Sequence, residues 1–199
     1  MSAEILAINR AVLPQELLAD AAADAVKLRN NFARIGDFAL LRDGDQMIDG
    51  HLASPFMVID ITSKTAGVFK KEAPNLSKIL QRIAEVPTSI EGISGITETG
   101  FLSLTINYLD TGTMVNKHRD SGITKHAKVS RVATLRGKGL FGIITPPGAD
   151  PIDPIVVEAG DLHELFNPAN PAERPLHWAT STDELVDRIS IGYQVPAVI

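Results

Sequence analysis

The hydrophobic pattern of the chain changes character part-way along. Residues 15–31, directly after a proline, place leucine and alanine at helical spacing, and proline suits the first turn of a helix. A second helix is predicted to begin at Asn75, which is a capping residue followed by apolar positions at the same spacing. Two short apolar runs between these helices, residues 38–41 and 56–61, predict strands.

After Pro87 the pattern becomes one of short β-rich runs separated by Gly, Pro and Asp. These runs span residues 101–109, 129–135, 140–144, 155–157, 162–166, 177–179 and 188–195. Many short strands at near-regular spacing are typical of a sandwich or barrel. Helices followed by strands favour an antiparallel core with helices on one face. We therefore predict an α+β, mainly β, fold.

The length of 199 residues predicts one domain. Within it we expect residues 1–95 to form a helical and strand support and lid, and residues 96–199 to form the core with the functional site. The chain has no cysteine, which excludes disulfides, zinc–thiolate sites, iron–sulfur clusters and cysteine nucleophiles. Any metal must therefore be held by imidazole and carboxylate groups.

The charge and hydropathy of the chain narrow its partners. The net charge of −5 and pI of about 5.5 argue against a strong nucleic-acid binder, although a modest basic stretch runs from Lys117 to Lys138. The N-terminus lacks a basic segment followed by a long apolar run, and no apolar run approaches the ~20 residues of a membrane span. We expect a cytoplasmic protein that does not associate with membranes.

Five polar positions near the strands are candidates for chemistry. On a strand, residues two apart face the same way, so His118 and Asp120 can point together at one ion. Downstream, His177 follows a proline-rich loop, and Arg188 and Ser190 share one face of an alternating strand. Two histidines and one carboxylate are the ligand set of non-haem Fe(II) oxygenases, although zinc accepts the same ligands.

The order of these motifs resembles the iron(II)- and 2-oxoglutarate-dependent dioxygenases, which share a double-stranded β-helix, or jelly roll. The resemblance rests on HRD at 118–120, GDLHELF at 160–166, HW at 177–178 and RISIGY at 188–193. Upstream, Asn107-Tyr108 and Gly112 are similar to a segment of the AlkB branch. We carry over the superfamily and not the AlkB substrate.

The resemblance implies a role for each candidate residue. His118, Asp120 and His177 would bind Fe(II), to which 2-oxoglutarate and O2 would also bind. Arg188 would hold the distal carboxylate of 2-oxoglutarate, because a guanidinium matches a carboxylate with two parallel hydrogen bonds. Ser190 would add a hydroxyl and Tyr108 a phenol to the same carboxylate, making them cofactor-binding residues.

Two residues near these motifs, His163 and Tyr108, each have two interpretations. His163 is a rival metal ligand, but it lies in the strand that precedes the distal histidine in this family, so we interpret it as a supporting or core residue. Tyr108 shares a strand face with Ile106, and the apolar character of that face predicts that it is buried. Asn107 then points the other way, which weakens its case as a ligand.

The expected activity is hydroxylation of a C–H bond in a small organic substrate, with release of succinate and CO2. A nucleobase in DNA or RNA is the alternative substrate, based on the AlkB-like segment and the basic stretch. Two other classes stay open. One is a cupin-like metal protein that uses the same ligands without 2-oxoglutarate, and the other is a jelly-roll binding module in which the three ligand residues are coincidental.

Overall fold

The computed structural model describes residues 5–35, 39–42, 46–48, 51–53, 56–60, 66–91, 93, 95–96, 103–120, 127–144 and 152–198. The helices in these ranges are α1 (Gln15–Ile35), α2 (Ala66–Glu72) and α3 (Pro74–Glu85). The strands of the first half are β1 (Leu6–Asn9), β2 (Ala39–Arg42), β3 (Gln46–Ile48), β4 (His51–Ala53), β5 (Phe56–Asp60) and β6 (Gly95–Ile96). Those of the second half are β7 (Ser103–Leu109), β8 (Met114–His118), β9 (Lys128–Arg136), β10 (Lys138–Ile144), β11 (Ile155–Glu158), β12 (Leu162–Asn167), β13 (Leu176–Thr180) and β14 (Arg188–Val198).

The strands form two main antiparallel sheets. The large sheet has the order β1-β12-β9-β14-β7-β5-β2, with β6 also paired to β14. The small sheet has the order β11-β10-β13-β8, and β3 and β4 form a separate hairpin. Every strand predicted from the sequence is present among the described residues; the predicted end residues Phe38, Ile61, Phe101 and Leu102 lie outside those residues. The predicted mainly β architecture is therefore confirmed.

The helices pack on one face of the large sheet, as predicted. The main apolar core joins α1 and α3 to the inner residues of β7, β9 and β14. Leu28, Leu76 and Ile79 from the helices and Ile106 and Ile191 from the sheet are fully buried in it. None of the helices in the described ranges is long and apolar enough to cross a membrane.

Alternation along β14 separates two environments. Ile189, Ile191 and Tyr193 belong to the core beneath the helices. The intervening residues line a cavity on the opposite face, towards the small sheet, and these are Arg188, Ser190, Gly192 and Gln194. Because side chains on a strand alternate between faces, one strand supplies both the core and the cavity.

The start of α3 differs from the prediction. The helix begins at Pro74, so Asn75 lies inside the first turn and the prediction that it caps the helix is wrong. The backbone N–H groups of Asn75 and Leu76 instead donate to Asp24 Oδ2, at 2.7 and 3.3 Å. A carboxylate from the neighbouring helix α1 thus stabilises the first turn of α3, which local sequence could not reveal.

The first half of the chain also contributes strands to the large sheet. β1 pairs antiparallel with β12, and β5 pairs with β7 and β2. β1 was not predicted, and β8 was predicted only in part, as the strand expected to carry His118 and Asp120. The division at residue 95 and the lid stay predictions.

One buried ion pair ties the helices to the large sheet. Arg131 Nε lies 2.8 Å from Glu164 Oε1, and both side chains are fully buried. The other nitrogens of Arg131 donate to the carbonyls of Ile83 and Val86 at the end of α3. Glu164 Oε2 accepts the backbone N–H of Ser89 at 2.9 Å. The pair therefore fixes the segment that follows α3 against β9 and β12.

Replacing Glu164 with Gln should destabilise the protein strongly. The change leaves the Arg131 cation buried without a counter-charge, and breaking such a pair typically costs about 3–5 kcal/mol. The matched control is Glu85→Gln, which breaks the exposed pair with Arg82 and should cost less than about 1 kcal/mol. Urea unfolding measures both free energies. Similar losses in the two variants would contradict the structural role of the buried pair.

Candidate metal site and its cavity

The structure brings together the three residues predicted to bind a metal. β8 ends at His118, and this residue is the direct cross-strand partner of His177 in β13. Asp120 lies two residues beyond the end of β8. One possible ligand atom from each of the three residues lies within 4.8 Å of the others. The strand predicted to include Asp120 stops short of it, so contacts other than strand geometry must orient its carboxylate.

The Asp120 carboxylate is held by three side chains of the large sheet. Its Oδ2 atom accepts hydrogen bonds from Ser130 Oγ at 2.7 Å, Gln194 Nε2 at 3.0 Å and Asn167 Nδ2 at 3.2 Å. Its Oδ1 atom lies 3.6 Å from His177 Nε2. One oxygen is therefore occupied by protein donors, and the other faces the histidines.

The backbone of Asp120 is held by Arg174, a buried residue of the loop between β12 and β13. Arg174 Nη1 donates to the Asp120 carbonyl at 2.7 Å, and its Nε donates to the Pro168 carbonyl at 3.2 Å. Arg119 Nε in turn donates to the Arg174 carbonyl at 2.9 Å. These hydrogen bonds fix the backbone of Asp120, which lies beyond the end of β8.

Electrostatics keep the carboxylate ionised. Burial by itself would raise the pKa of Asp120, but His177, the hydrogen bond from Ser130, His118 and Lys128 lower it, and the net shift is downward. An ionised carboxylate is the form that binds a metal cation. The site is therefore charged correctly for a metal.

The imidazole of His177 has a defined tautomer. Its Nδ1 lies 3.1 Å from the Pro175 carbonyl, which can only accept, so Nδ1 carries the proton and Nε2 presents a lone pair. Burial lowers the pKa of His177, and His118 adds to this effect, while Asp120 and the Pro175 hydrogen bond oppose it. His177 is thus neutral at neutral pH, as a metal ligand must be.

A cavity of about 260 Å³ lies between the two sheets. His118, Asp120 and His177 line it together with Arg188 and Ser190. The aromatic ring of Phe141 also lines it, with its centroid 4.5 Å from that of His163 and 5.6 Å from that of His177. Five of the six residues assigned a role from the sequence therefore share one cavity.

Arg188 is a buried cation with an unused donor. It is 2% exposed, and its Nη1 donates to the Thr180 carbonyl at 3.0 Å. No described residue accepts a hydrogen bond from its Nε. Burial lowers its pKa to about 10, so it remains charged at neutral pH. The carboxylate that precedes it in sequence, Asp187, pairs with Arg136 at 3.5 Å.

Asn107 and Tyr108 lie on the opposite faces of β7 that the alternation predicted, but Asn107, and not Tyr108, lines the cavity. Tyr108 lies on the helix-facing side of β7, where its hydroxyl donates to the Ala25 carbonyl at 2.7 Å, and it does not line the cavity. Burial raises the pKa of this phenol. Asn107 lines the cavity, and its Nδ2 lies 3.4 Å from Ser190 Oγ. The alternation was predicted correctly, but the polar face of β7 is the one towards the site, so we leave Tyr108 out of the proposed carboxylate site.

His163 lines the same cavity but is not part of the metal-ligand group. It is 1% exposed, and its Nδ1 has no hydrogen-bond partner among the described residues. Burial, followed by the charges of Arg188 and His177, lowers its pKa well below the ordinary 6.5. It is therefore a neutral polar group close to a buried arginine.

Sequence reasoning missed most of the residues that support the site. Some of them carried a signal, because polar side chains at alternate positions of a buried strand are unusual; these are Lys128, Ser130 and Gln194. Asn167 and Arg174 carried none, since the first ends a strand and the second lies in a loop. Only the folded chain brings them to Asp120.

The sequence matches no protein-family model and no curated protein. The structure does match solved structures. AviO1 from Streptomyces viridochromogenes Tue57 is 16% identical with a TM-score of 0.56, and the match covers 97% of this chain and 90% of AviO1. SnoN, a non-haem alpha ketoglutarate dependent epimerase from nogalamycin biosynthesis, is 15% identical with a TM-score of 0.54, covering 96% and 76%.

A prolyl hydroxylase from Trichoplax adhaerens is 12% identical with a TM-score of 0.52, covering 96% of this chain and 83% of that protein. The chain has the jelly-roll fold of these proteins. At such low identity the likeness establishes the fold alone. The predicted jelly roll with helices on one face is confirmed.

The neutral His163 should make the stability of the metal-free protein depend on pH. An unfolded histidine binds a proton near pH 6.5, whereas folded His163 binds one only at lower pH, so the unfolded state holds more protons below pH 6.5 and stability falls as pH falls. The loss is up to about 1.4 kcal/mol per pH unit for this one group. Urea unfolding at pH 7.0, 6.0 and 5.0 should give a flatter dependence for His163→Gln than for the wild type. Parallel curves would show that His163 does not titrate as its burial predicts.

Proposed function

We propose that this protein is an Fe(II)- and 2-oxoglutarate-dependent oxygenase that hydroxylates a C–H bond of a small organic substrate, releasing succinate and CO2. The observation that carries the proposal is a single cavity. It holds the two histidines and the ionised carboxylate of the candidate metal site together with a buried arginine whose Nε has no acceptor among the described residues.

The residues present fit an iron ion. His118, Asp120 and His177 offer two imidazole nitrogens and one carboxylate oxygen from one side, which leaves further positions open for other ligands. The tautomer of His177 and the lowered pKa of Asp120 put both groups in the form that binds metal. SnoN has also been solved in complex with Fe3+ and alpha ketoglutarate, with a TM-score of 0.52 to this chain.

The residues present also fit the distal carboxylate of 2-oxoglutarate. An unpaired donor on a buried guanidinium is costly unless an acceptor satisfies it, and a carboxylate matches the guanidinium fork. Ser190 lies on the same face of β14, two residues away, where its hydroxyl would contact the same carboxylate. Asn107 adds an amide beside Ser190.

Each side chain has a defined task in this mechanism. Iron, 2-oxoglutarate and O2, when bound, would together supply the oxidising chemistry, with O2 as the oxidant. Asp120 presents Oδ1 and the two histidines present ring nitrogens from fixed positions, while Arg188 anchors the far end of the co-substrate. The remaining cavity wall is largely apolar and limits water around the reacting centre; it includes Leu109, Val115, Phe141, Leu165 and Ala179.

An anaerobic titration tests the site and the co-substrate together. Metal-free protein receiving Fe(II) and 2-oxoglutarate should develop a weak visible charge-transfer band that saturates near one equivalent. Arg188→Met should lose the band at co-substrate concentrations that saturate the wild type, because the distal carboxylate loses its partner. The matched control is Arg136→Met, which removes a half-exposed arginine paired with Asp187 and should leave the band unchanged.

The outcomes separate the competing functions. Iron binding without the band would show a metal protein that does not use 2-oxoglutarate, as in the cupin-like alternative. No iron binding in the wild type would show that the three ligand residues are coincidental. His177→Ala should abolish both iron binding and the band.

Binding of oligonucleotides tests which class of substrate the protein uses. A net charge of −5 disfavours binding of a polyanion, so we propose a small molecule over a nucleobase in DNA or RNA. Fluorescent single-stranded and duplex oligonucleotides should therefore show no binding at 50 mM salt. Binding that weakens steeply between about 50 and 200 mM salt would instead support the nucleic-acid substrate.

A further inference from the structure

Lys128 is a buried lysine beside the metal site. It is the first residue of β9 and is 1% exposed. Its Nζ donates a hydrogen bond to Gln194 Oε1 on the neighbouring strand β14. Burying an ammonium group is costly, and the proposed function assigns no role to the ammonium group of Lys128.

The contacts with Lys128 and with Asp120 together determine which way the amide of Gln194 faces. An ammonium group can only donate, so the atom of Gln194 nearest to it must be the oxygen. The amide nitrogen then faces Asp120, where Nε2 donates to Oδ2 at 3.0 Å. Without Lys128, the amide oxygen loses this donor, and with it one of the two hydrogen bonds that hold the Gln194 side chain in place.

This orientation completes the set of three donors on Oδ2, which leaves Oδ1 as the oxygen that faces His177 at 3.6 Å. We propose that Lys128 is a positioning residue that acts through Gln194 to hold Asp120 as a one-oxygen metal ligand. The proposal rests on the proposed function, because it assumes that Asp120 binds the metal. Residues that orient a metal ligand in this way typically contribute a factor of about 10–100 in metal affinity.

The charge of Lys128 has the opposite effect to its positioning role, which makes the direction of the change decisive. A cation near a metal site repels the metal, so at a pH where Asp120 is ionised, removing only the charge would tighten metal binding. Losing the orientation of Gln194, and with it one donor to Asp120, would weaken metal binding. A weaker site in the variant can therefore not be explained by charge alone.

Co(II) binding to the metal-free full-length chain tests the proposal without relying on turnover. Lys128→Met should bind Co(II) about 10–100-fold more weakly than the wild type and change the visible absorption of bound Co(II). Gln194→Met should show a loss of similar size. Adding Lys128→Met to Gln194→Met should cost little more, because the first residue acts through the second. The matched control is Lys138→Met, an exposed lysine at the start of the next strand, which should bind as the wild type does.

Several results would overturn the proposal. Unchanged or tighter binding in Lys128→Met would show that positioning is not its role. A full additional loss in the double variant would show that it does not act through Gln194. If Lys128→Met does not fold, Gln194→Met provides the test. Wild-type Co(II) affinity in Gln194→Met would show that Gln194 does not hold Asp120, and the proposal would then be wrong. If the wild type binds Co(II) tightly and one of these results is found, only the role of Lys128 is wrong and the proposed function is unaffected. If the wild type binds no Co(II), both the role of Lys128 and the proposed function are wrong.

Discussion

Strand β14 is covered on both faces, and this constraint organises the rest of the molecule. On the helix side Ile189 and Ile191 are buried in the main core. On the other side the strand carries Arg188 and Gln194, which are polar groups that must find partners away from bulk solvent. Gln194 accepts a hydrogen bond from Lys128 and donates one to Asp120. Arg188 donates to one backbone carbonyl, and its Nε has no acceptor among the residues that the structure describes, which is the property expected of a ligand-binding residue.

The candidate metal site joins the two sheets. Its histidines are neighbours on adjacent strands of the small sheet, whereas Ser130, Asn167 and Gln194, which hold the Asp120 carboxylate, all belong to the large sheet. Asp120 itself lies in neither sheet. The distance between the histidines and Asp120 therefore depends on how the two sheets face one another. Three hydrogen bonds from the large sheet then fix the orientation of the Asp120 carboxylate. A site built on rigid strands keeps its geometry better than one built on loops.

The N-terminal part of the chain supports this arrangement from behind. α1 and α3 cover the apolar face of the large sheet, and the Arg131–Glu164 pair joins the end of α3 to β9 and β12. These two strands also carry Ser130 and His163 on their cavity faces. The same strands thus bear an ion pair on one side and functional residues on the other, so packing beneath the helices determines where the cavity residues lie.

The sequence by itself determined the fold class and most strands of the second half, and it predicted His118, Asp120, His177, Arg188 and Ser190 as site residues, because period-two alternation and short motifs are local properties of the chain. It also predicted that the two faces of β7 differ, but not which face meets the site, so Tyr108 was favoured where Asn107 lines the cavity. Only the tertiary structure decided that choice, together with the cap of α3 by Asp24 and the donors on Asp120. These contacts join residues that are about 10 to more than 70 positions apart, as for Ser130 and Gln194 with Asp120, and no local pattern encodes which distant side chains will meet once the sheets have packed.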